Sequence, residues 1–340
     1  MTLKELAKRC GVSVSTVSRV VNGNNNHAAS AAVANKIWQM VHETGYIPNS
    51  YAQGLKMGGT QKSPPKAISL ACIFARTCDR ESGQFFSELF RIIEQECAQN
   101  KCKVTGIFPA FEQKKTSSAL KIPNVDGVIV MGRCSKNLLQ NLKKQCKNII
   151  FVGLNSLKDN SCDQVICDGY EAAKTAIKHL HQLGHTRIGY IGEQSEEARY
   201  RGYYDAMKEL KLPIEYHHVF NTHQSIKGGY QSGIKLLQAA QHPTALFCAN
   251  DITAIGVIKS LQENGVEIPK DMSVISIDNI EMSQYCSPML TSINIPREDL
   301  GRFTVKILLD RIEGGHTTPI KIDIPFTLIK RESSAQFKNI

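Results

Sequence analysis

Apolar positions along the chain follow two regimes. In residues 1–45 they recur three and four apart. After residue 66, short apolar runs alternate with amphipathic stretches. The segment GVSVSTVSRVVNG (11–23) is ambiguous, because Val12, Val14 and Val17 are interleaved with Ser13, Ser15, Thr16 and Ser18 as a half-wet strand would be. The neighbours favour a helix. Thr2 and Glu5 form a capping box, and Leu3, Leu6 and Ala7 follow at helical spacing. Gly11 allows a left-handed exit, and Ser13 offers a new N-cap. Val17, Val20 and Val21 then share one face, Ser15, Ser18 and Arg19 the other, with Val14 near the leading edge and Asn22-Gly23 as the stop. Ser30 can cap a third helix with the stripe Val33, Ile37, Met40 and Val41, onto which Trp38 is expected to pack. Pro48 blocks continuation, Asn49 can cap a short helix from Tyr51 to Leu55, and Gly58, Gly59, Ser63, Pro64 and Pro65 read as a linker.

Beyond Pro65, AISLACIFA, KVTGIF, VDGVIVMG, NIIFVGL, QVICD, RIGYIG, HHVF, TALFCA and MSVISID read as strands. FFSELFRIIEQECAQN, LLQNLKKQC, GYEAAKTAIKHLHQLG, RGYYDAMKEL, a stretch from about Ile226 to Ala240, and ITAIGVIKSLQENG read as helices. Strands alternating with crossover helices give parallel sheets covered on both faces. Ligands on such sheets bind at the carboxyl ends of the strands.

Charge sharpens the division. Residues 1–66 hold eight lysines and arginines against two acids, a net of +6, whereas the rest holds 33 against 29, a net of +4. A basic head on a nearly neutral body is the footprint of a nucleic-acid contact. Two helices joined by a Gly-containing turn form a helix-turn-helix, whose second helix enters the major groove. Arg19 is then the bidentate donor to guanine, with Ser15, Ser18 and Val14 toward base edges and Ser13 and Thr16 toward the phosphates. A helical hairpin without a ligand is the plainer alternative. Eleven singly scattered cysteines argue against a disulfide framework and against structural zinc. No apolar run is long enough to span a membrane, and the charged N-terminus lacks a signal core, so a cytoplasmic location is expected.

The segments VSVSTVSRVVNG (12–23) and GYIPNSYAQGL (45–55) resemble the head of the LacI/GalR family of bacterial transcription regulators. The likeness extends through VDGVIV, HLHQLGHTRIGYIG, RYRGYYDAM, TALFCANDITAIGV, MSVISIDN and SPMLTSINIP. It implies an N-terminal all-α helix-turn-helix head and an α/β periplasmic-binding-protein-like body with two parallel-sheet lobes. The implied division is a DNA-binding domain at 1–57 with a hinge helix near 49–57, a linker at 58–66 and a ligand-binding and dimerisation body at 67–340. Within the body the N-lobe takes about 67–166 plus 294–321, and the C-lobe about 167–293 plus 322–334, with crossovers near 165–168, 291–295 and 320–325. Asn22, Tyr46, Asn49 and Leu55 join the expected DNA contacts, Leu55 as the minor-groove wedge of the paired hinge. One departure is the third helix, which opens HAASAAV where the family usually has acids.

The resemblance also implies an effector site. Arg199, three before Gly202 in RYRGYY, takes the place of a ligand-gripping arginine, with Arg201 as the next choice. Asp278 ends a strand facing the crevice, although such aspartates also cap loops. Asn250 could bind ligand or cap the next helix, Asp251 is expected to be structural, and Asp168 sits at a crossover. Gln224 stands where relatives often stack an aromatic ring, and Phe74, Phe85 and Phe86 could line the other wall or pack in the core. Gly153 replaces an acid of some sugar-binding relatives and Cys167 an aromatic, so the ligand is related to a sugar without being fixed.

No GxSxG, HExxH or Walker loop occurs, and His179, His181, His185 and the pair His217-His218 are not spaced as a metal set, so no enzyme, cofactor or metal is expected. The expected protein is a homodimeric repressor of a pseudo-palindromic duplex operator, controlled by a small effector of the sugar class. The tail RESSAQFKNI carries no leucine heptad, which favours a dimer over a tetramer. Rival readings are an effector that is a phosphorylated carrier protein or a corepressor, a solute-binding protein, and a sugar-processing enzyme. The basic head speaks against the last two.

Overall fold

The valine-rich segment is helical because its start is capped and one of its faces is buried. A computed structural model describes residues 3–21, 29–44, 67–75, 84–110, 120–158 and 160–338. Helix α1 (Leu3–Cys10) leaves through Gly11 at φ +71°, where a side chain would be strained, and the Val12 N–H returns to the Ala7 carbonyl at 3.1 Å. Ser13 then caps α2 (Val14–Val21), its Oγ accepting from the Thr16 N–H at 3.1 Å. Helix α3 (Ala31–Thr44) closes a small core of Leu6, Ala7, Cys10, Val17 and Ile37. This burial, added to the cap, overrides the strand preference of valine. The head lies in one compact unit, Met1–Lys66, and the body forms a second, Ala67–Ile340. The Thr2 capping box, Asn22, Tyr46, Asn49, Leu55, the hinge near 49–57 and the linker at 58–66 lie outside the described residues, as do the side chains of Ser18 and Trp38.

The body contains two six-stranded sheets. The first takes β1 (Ile68–Phe74), β2 (Cys102–Pro109), β3 (Gly127–Met131), β4 (Ile149–Gly153), β5 (Asp163–Ile166) and β11 (Lys321–Asp323), in the order β11-β5-β4-β3-β1-β2, all parallel. The second takes β6 (Ile188–Gly192), β7 (Val219–Asn221), β8 (Ala245–Cys248), β9 (Ser273–Asp278), β10 (Thr291–Asn294) and β12 (Thr327–Ile329), in the order β12-β10-β9-β8-β6-β7. Here β12 runs antiparallel to β10 and ends a sheet that is otherwise parallel. The chain changes sheets at 167–168, 295–296 and 324–326, so β11 to Asp323 belongs to the first sheet.

The helices of the body are α4 (Gln84–Gln99), α5 (Lys136–Gln145), α6 (Gly169–Gln182), α7 (Ala198–Glu209), α8 (Ile226–Leu236), α9 (Asp251–Glu263) and α10 (Arg297–Glu313). Strand alternation divides each sheet between two covering layers. Leu70 and Ile129 pack with Leu89, Ile93, Val305 and Leu308 of α4 and α10, while Val128 and Val130 pack with Leu139 and Leu142 of α5. Gly202 lets α7 approach α6, since a Cβ there would stand 2.3 Å from the Tyr170 carbonyl oxygen. Several elements depart from the sequence reading, among them β10, β11 and β12, which are not among its strands. Helix α10 occupies a stretch to which the pattern assigned nothing, because Gly301 and Thr304 dilute its buried face. Helix α8 stops at Leu236, short of Ala240. Tyr216–His218 forms a 3-10 turn, and only Val219 onward pairs with β6.

A charged cluster ties the end of α10 to β5. Asp163, buried, accepts from Arg311 Nη2 at 2.7 Å and from Arg311 Nε at 2.5 Å. His316 bonds Asp310 through Nδ1 at 2.5 Å and Asp163 through Nε2 at 3.1 Å. The Asp310 bond is the largest influence raising the His316 pKa above its ordinary 6.5. A raised imidazole contributes stability that is fully present below pH 6.5 and lost as pH rises through the folded value. His316→Gln should therefore flatten the decline in urea midpoint of the full chain above about pH 6.5; a wild-type decline that persists in the variant would reject this source.

Candidate functional site

In the head, Val17 turns inward, Ser13 stands exposed at the cap before α2, and Ser15 and Arg19 stand exposed on it. The hydroxyls are mutually bonded, Ser13 Oγ lying 2.8 Å from both Ser15 Oγ and Thr16 Oγ1. Val14, expected toward a base edge, instead packs against the small core of the head, because the first turn of α2 leans on it. The exposed polar face carrying Arg19 has the chemistry to read a duplex.

In the body, strand ends converge in the crevice between the two sheets. Arg199 enters from the first turn of α7 and is only 4% exposed. Its Nε donates to Glu197 Oε1 at 2.8 Å, and its Nη2 donates to Glu197 Oε2 and Gln224 Oε1, both at 2.9 Å. Nη1 donates to the Ala249 carbonyl at 2.8 Å. The fork expected to grip a ligand thus holds an internal carboxylate, and four of its five N–H donors are engaged. Gln224 also donates to Glu197 Oε2 at 3.2 Å. Burial alone would raise the Glu197 carboxyl. The charge and hydrogen bonds of Arg199, then the charge of Arg133, outweigh it and hold the group well below the usual carboxylate range.

Arg133, just beyond β3 of the first sheet, crosses to the second. Its Nη2 lies 2.7 Å from Glu193 Oε2 and also pairs with Glu197. A second arginine makes the same crossing. Arg297, at the start of α10, pairs with Glu88 Oε2 at 3.0 Å and donates through Nη1 to the Asp278 carbonyl at 2.8 Å. The two lobes are therefore joined beside the strand ends by the ion pairs of Arg133 and by the hydrogen bond from Arg297 to the Asp278 carbonyl.

The remaining expected ligand residues divide. Asp278 and Gln224 lie at the crevice, 3% and 1% exposed. Asp278 also holds φ 122°, a strained backbone conformation for a non-glycine residue of the kind that gathers at ligand sites. Asn250 and Asp168 are engaged as helix caps. Asn250 Oδ1 accepts from the Thr253 N–H at 3.1 Å, and Asp168 Oδ1 from the Tyr170 N–H at 2.9 Å. Asp251 is structural, accepting from the Ser276 and Ser292 hydroxyls at 2.5 and 2.6 Å. Phe74 ends β1 edge-on to Phe86, with ring centroids 5.3 Å apart, and packs on the core. Cys167 is fully buried, and burial pushes its thiol up to about 12. At Gly153 a Cβ would stand 3.1 Å from the Gly132 carbonyl oxygen, so a larger residue would have to displace backbone. Sequence reasoning missed Glu197, Arg133 and Arg297. The strand-end rule that selects Asp278 would also have selected Arg133, which follows the apolar run VIVMG.

Comparison with known proteins places these features. Residues 2–49 match the family described as bacterial regulatory proteins, lacI family, and residues 177–334 match a periplasmic binding protein-like domain. The HTH-type transcriptional repressor PurR of Aliivibrio salmonicida (strain LFI1238) is 32% identical over 327 residues, covering 93% of each chain. The chain belongs to the LacI family. Among solved structures, a transcriptional regulator CelR–cellobiose complex superposes over 98% of this chain and 99% of that one, with TM-score 0.69 and 22% identity. A LacI family regulator from Enterococcus faecium with bound ribose is 30% identical, covers 79% of this chain and 100% of its own, and has TM-score 0.67. This LacI-family chain is a DNA-binding transcriptional repressor with a ligand-binding body, and not an enzyme. Among the described residues no helix is long and apolar enough to cross a membrane.

Proposed function

We propose that this repressor binds a pseudo-palindromic operator as a homodimer and is controlled by a small ligand of the sugar class held between its lobes. On this reading the exposed face of α2 reads base edges through Arg19, with Ser13, Ser15, Thr16 and Ser18 around it. Asn22, Tyr46, Asn49 and Leu55 complete the contact. A twofold protein reads a twofold site. In the cleft, the Asp278 carboxylate accepts from ligand hydroxyls, and Gln224 and Arg199 supply polar edges beside it.

The carrying observation is the set of ion pairs from Arg133 to Glu193 and Glu197, next to Arg199 and Gln224. A ligand entering there must rearrange charges that join the two lobes, which gives a two-state element for it to bias. The coupling needed is modest, about 1–3 kcal/mol or roughly 5–150-fold in operator affinity. The ribose-bound relative at 30% identity supports the sugar class.

Calorimetry of the full chain against pentoses, hexoses, disaccharides and nucleobases tests this, with operator affinity measured at saturation. Binding of a sugar that shifts operator affinity at least fivefold is expected. Binding of nucleobases alone, or of a sugar with no effect on operator affinity, would overturn the ligand assignment.

A further inference from the structure

The amino end of β7 gathers three side chains that the repressor reading does not use. Glu215, His217 and His218 place one ligand-competent atom each within 4.8 Å of the others. Glu215 Oε2 lies 3.0 Å from His218 Nδ1 and 3.3 Å from His217 Nε2. This oxygen is buried and has no well-formed hydrogen bond among the described residues. On its far side, His218 Nε2 stands 2.7 Å from the Gln241 carbonyl oxygen. A carbonyl can only accept, so Nε2 carries a proton. In the neutral ring Nδ1 is then a bare lone pair 3.0 Å from a carboxylate oxygen. Two acceptors 3.0 Å apart repel unless a cation lies between them.

That cation is a proton or a metal ion. Distances around Glu215 fit a metal. Bonds of about 2.0–2.1 Å in a tetrahedron separate neighbouring ligand atoms by about 3.3–3.4 Å. The Gln241 carbonyl supplies the outer-shell acceptor that orients a metal-bound histidine.

We propose that Glu215, His217 and His218 form a binding site for a divalent first-row transition ion such as zinc. Two imidazole nitrogens and one carboxylate oxygen suit zinc, nickel or copper and not magnesium or calcium. The exposed His217 ring, at 57%, leaves a way in for the ion and room for a further ligand. The site lies before β7, at the amino edge of the second sheet, whereas Gln224 follows β7 and Asp278 ends β9 at the carboxyl edge. A bound ion would tie the 3-10 turn Tyr216–His218 to the segment around Gln241, and so fix the start of an edge strand. The pairing is invisible in the sequence, where His217 and His218 are adjacent and Glu215 is an ordinary acid before a turn.

Zinc titration of the full, reduced chain by calorimetry tests the site, with magnesium as a competitor and melting temperature as a second readout. One strong equivalent is expected, indifferent to excess magnesium and raising the melting temperature. His217→Ala removes an exposed ligand. It should leave the metal-free melting temperature unchanged and weaken binding by at least the roughly 10–100-fold that loss of an outer-shell partner costs. Glu215→Gln should weaken it similarly. No strong equivalent in the wild type, equal competition by magnesium, or unchanged zinc affinity in both variants would overturn the proposal, the last by placing the zinc elsewhere.

Discussion

Arg199→Ala should destabilise the full chain by about 3–5 kcal/mol, toward the lower end of that range because Arg133 still faces the carboxylate left behind. Glu197 is completely buried, and its oxygens depend on Arg199, Arg133 and Gln224. The cost is that of an uncompensated buried charge and exceeds the worth of the pair itself. Urea unfolding at pH 7 measures it. The double variant Glu197→Gln/Arg199→Met, which removes both charges, should recover much of the loss. Acid should narrow the difference between wild type and Arg199→Ala. Glu197 is depressed in the folded chain, so its contribution is present above the ordinary carboxylate value near 4.5 and fades as pH falls through the folded value. A loss below about 1 kcal/mol, within the range of a surface pair, would show that Arg199 does not hold the carboxylate. The result also qualifies Arg199 as a ligand probe. Loss of effector response in Arg199→Ala carries meaning only where the variant is shown to be folded.

Arg19→Ala should cost about 1–3 kcal/mol of affinity for the operator, or roughly 5–150-fold, and much less for random duplex. Arg19 is exposed on the face of α2 opposite the buried Val17, so its removal leaves the head packed. Anisotropy titrations on both duplexes at one salt concentration separate the terms. Equal loss on the two would make Arg19 a phosphate contact, and the salt slope would then fall by about one unit.

Much of this was legible in the chain. Capping residues, the glycine stop and helical spacing identified α2 despite its valines, because local signals and the small core agree there. Strands β1 to β9 were legible as apolar runs bounded by turns, whereas β10, β11 and β12, of three or four residues each, were not. Helix α10 was not, since Gly301 and Thr304 interrupt its apolar stripe where the helix comes against Ile92. The cleft was half legible. Arg199, Gln224 and Asp278 do gather, but their partners Glu197, Arg133 and Arg297 come from separate elements, and a sequence does not show which charges fold together. Asn250 and Asp168 illustrate the converse, since a polar residue after a strand serves a cap as readily as a ligand. Val14, expected toward a base edge, is half-buried against the core of the head, because a residue near a helix edge can turn either way.

A capped, exposed α2 should read a defined duplex. Selection of the full chain on a randomised duplex library, followed by affinity measurement at fixed physiological salt, tests it most directly. One pseudo-palindromic site should be enriched and bound about a thousandfold or more tighter than scrambled sequence, with the advantage much reduced by Arg19→Ala. Uniform binding across the library, or an enriched site with no twofold symmetry and no dependence on Arg19, would contradict it.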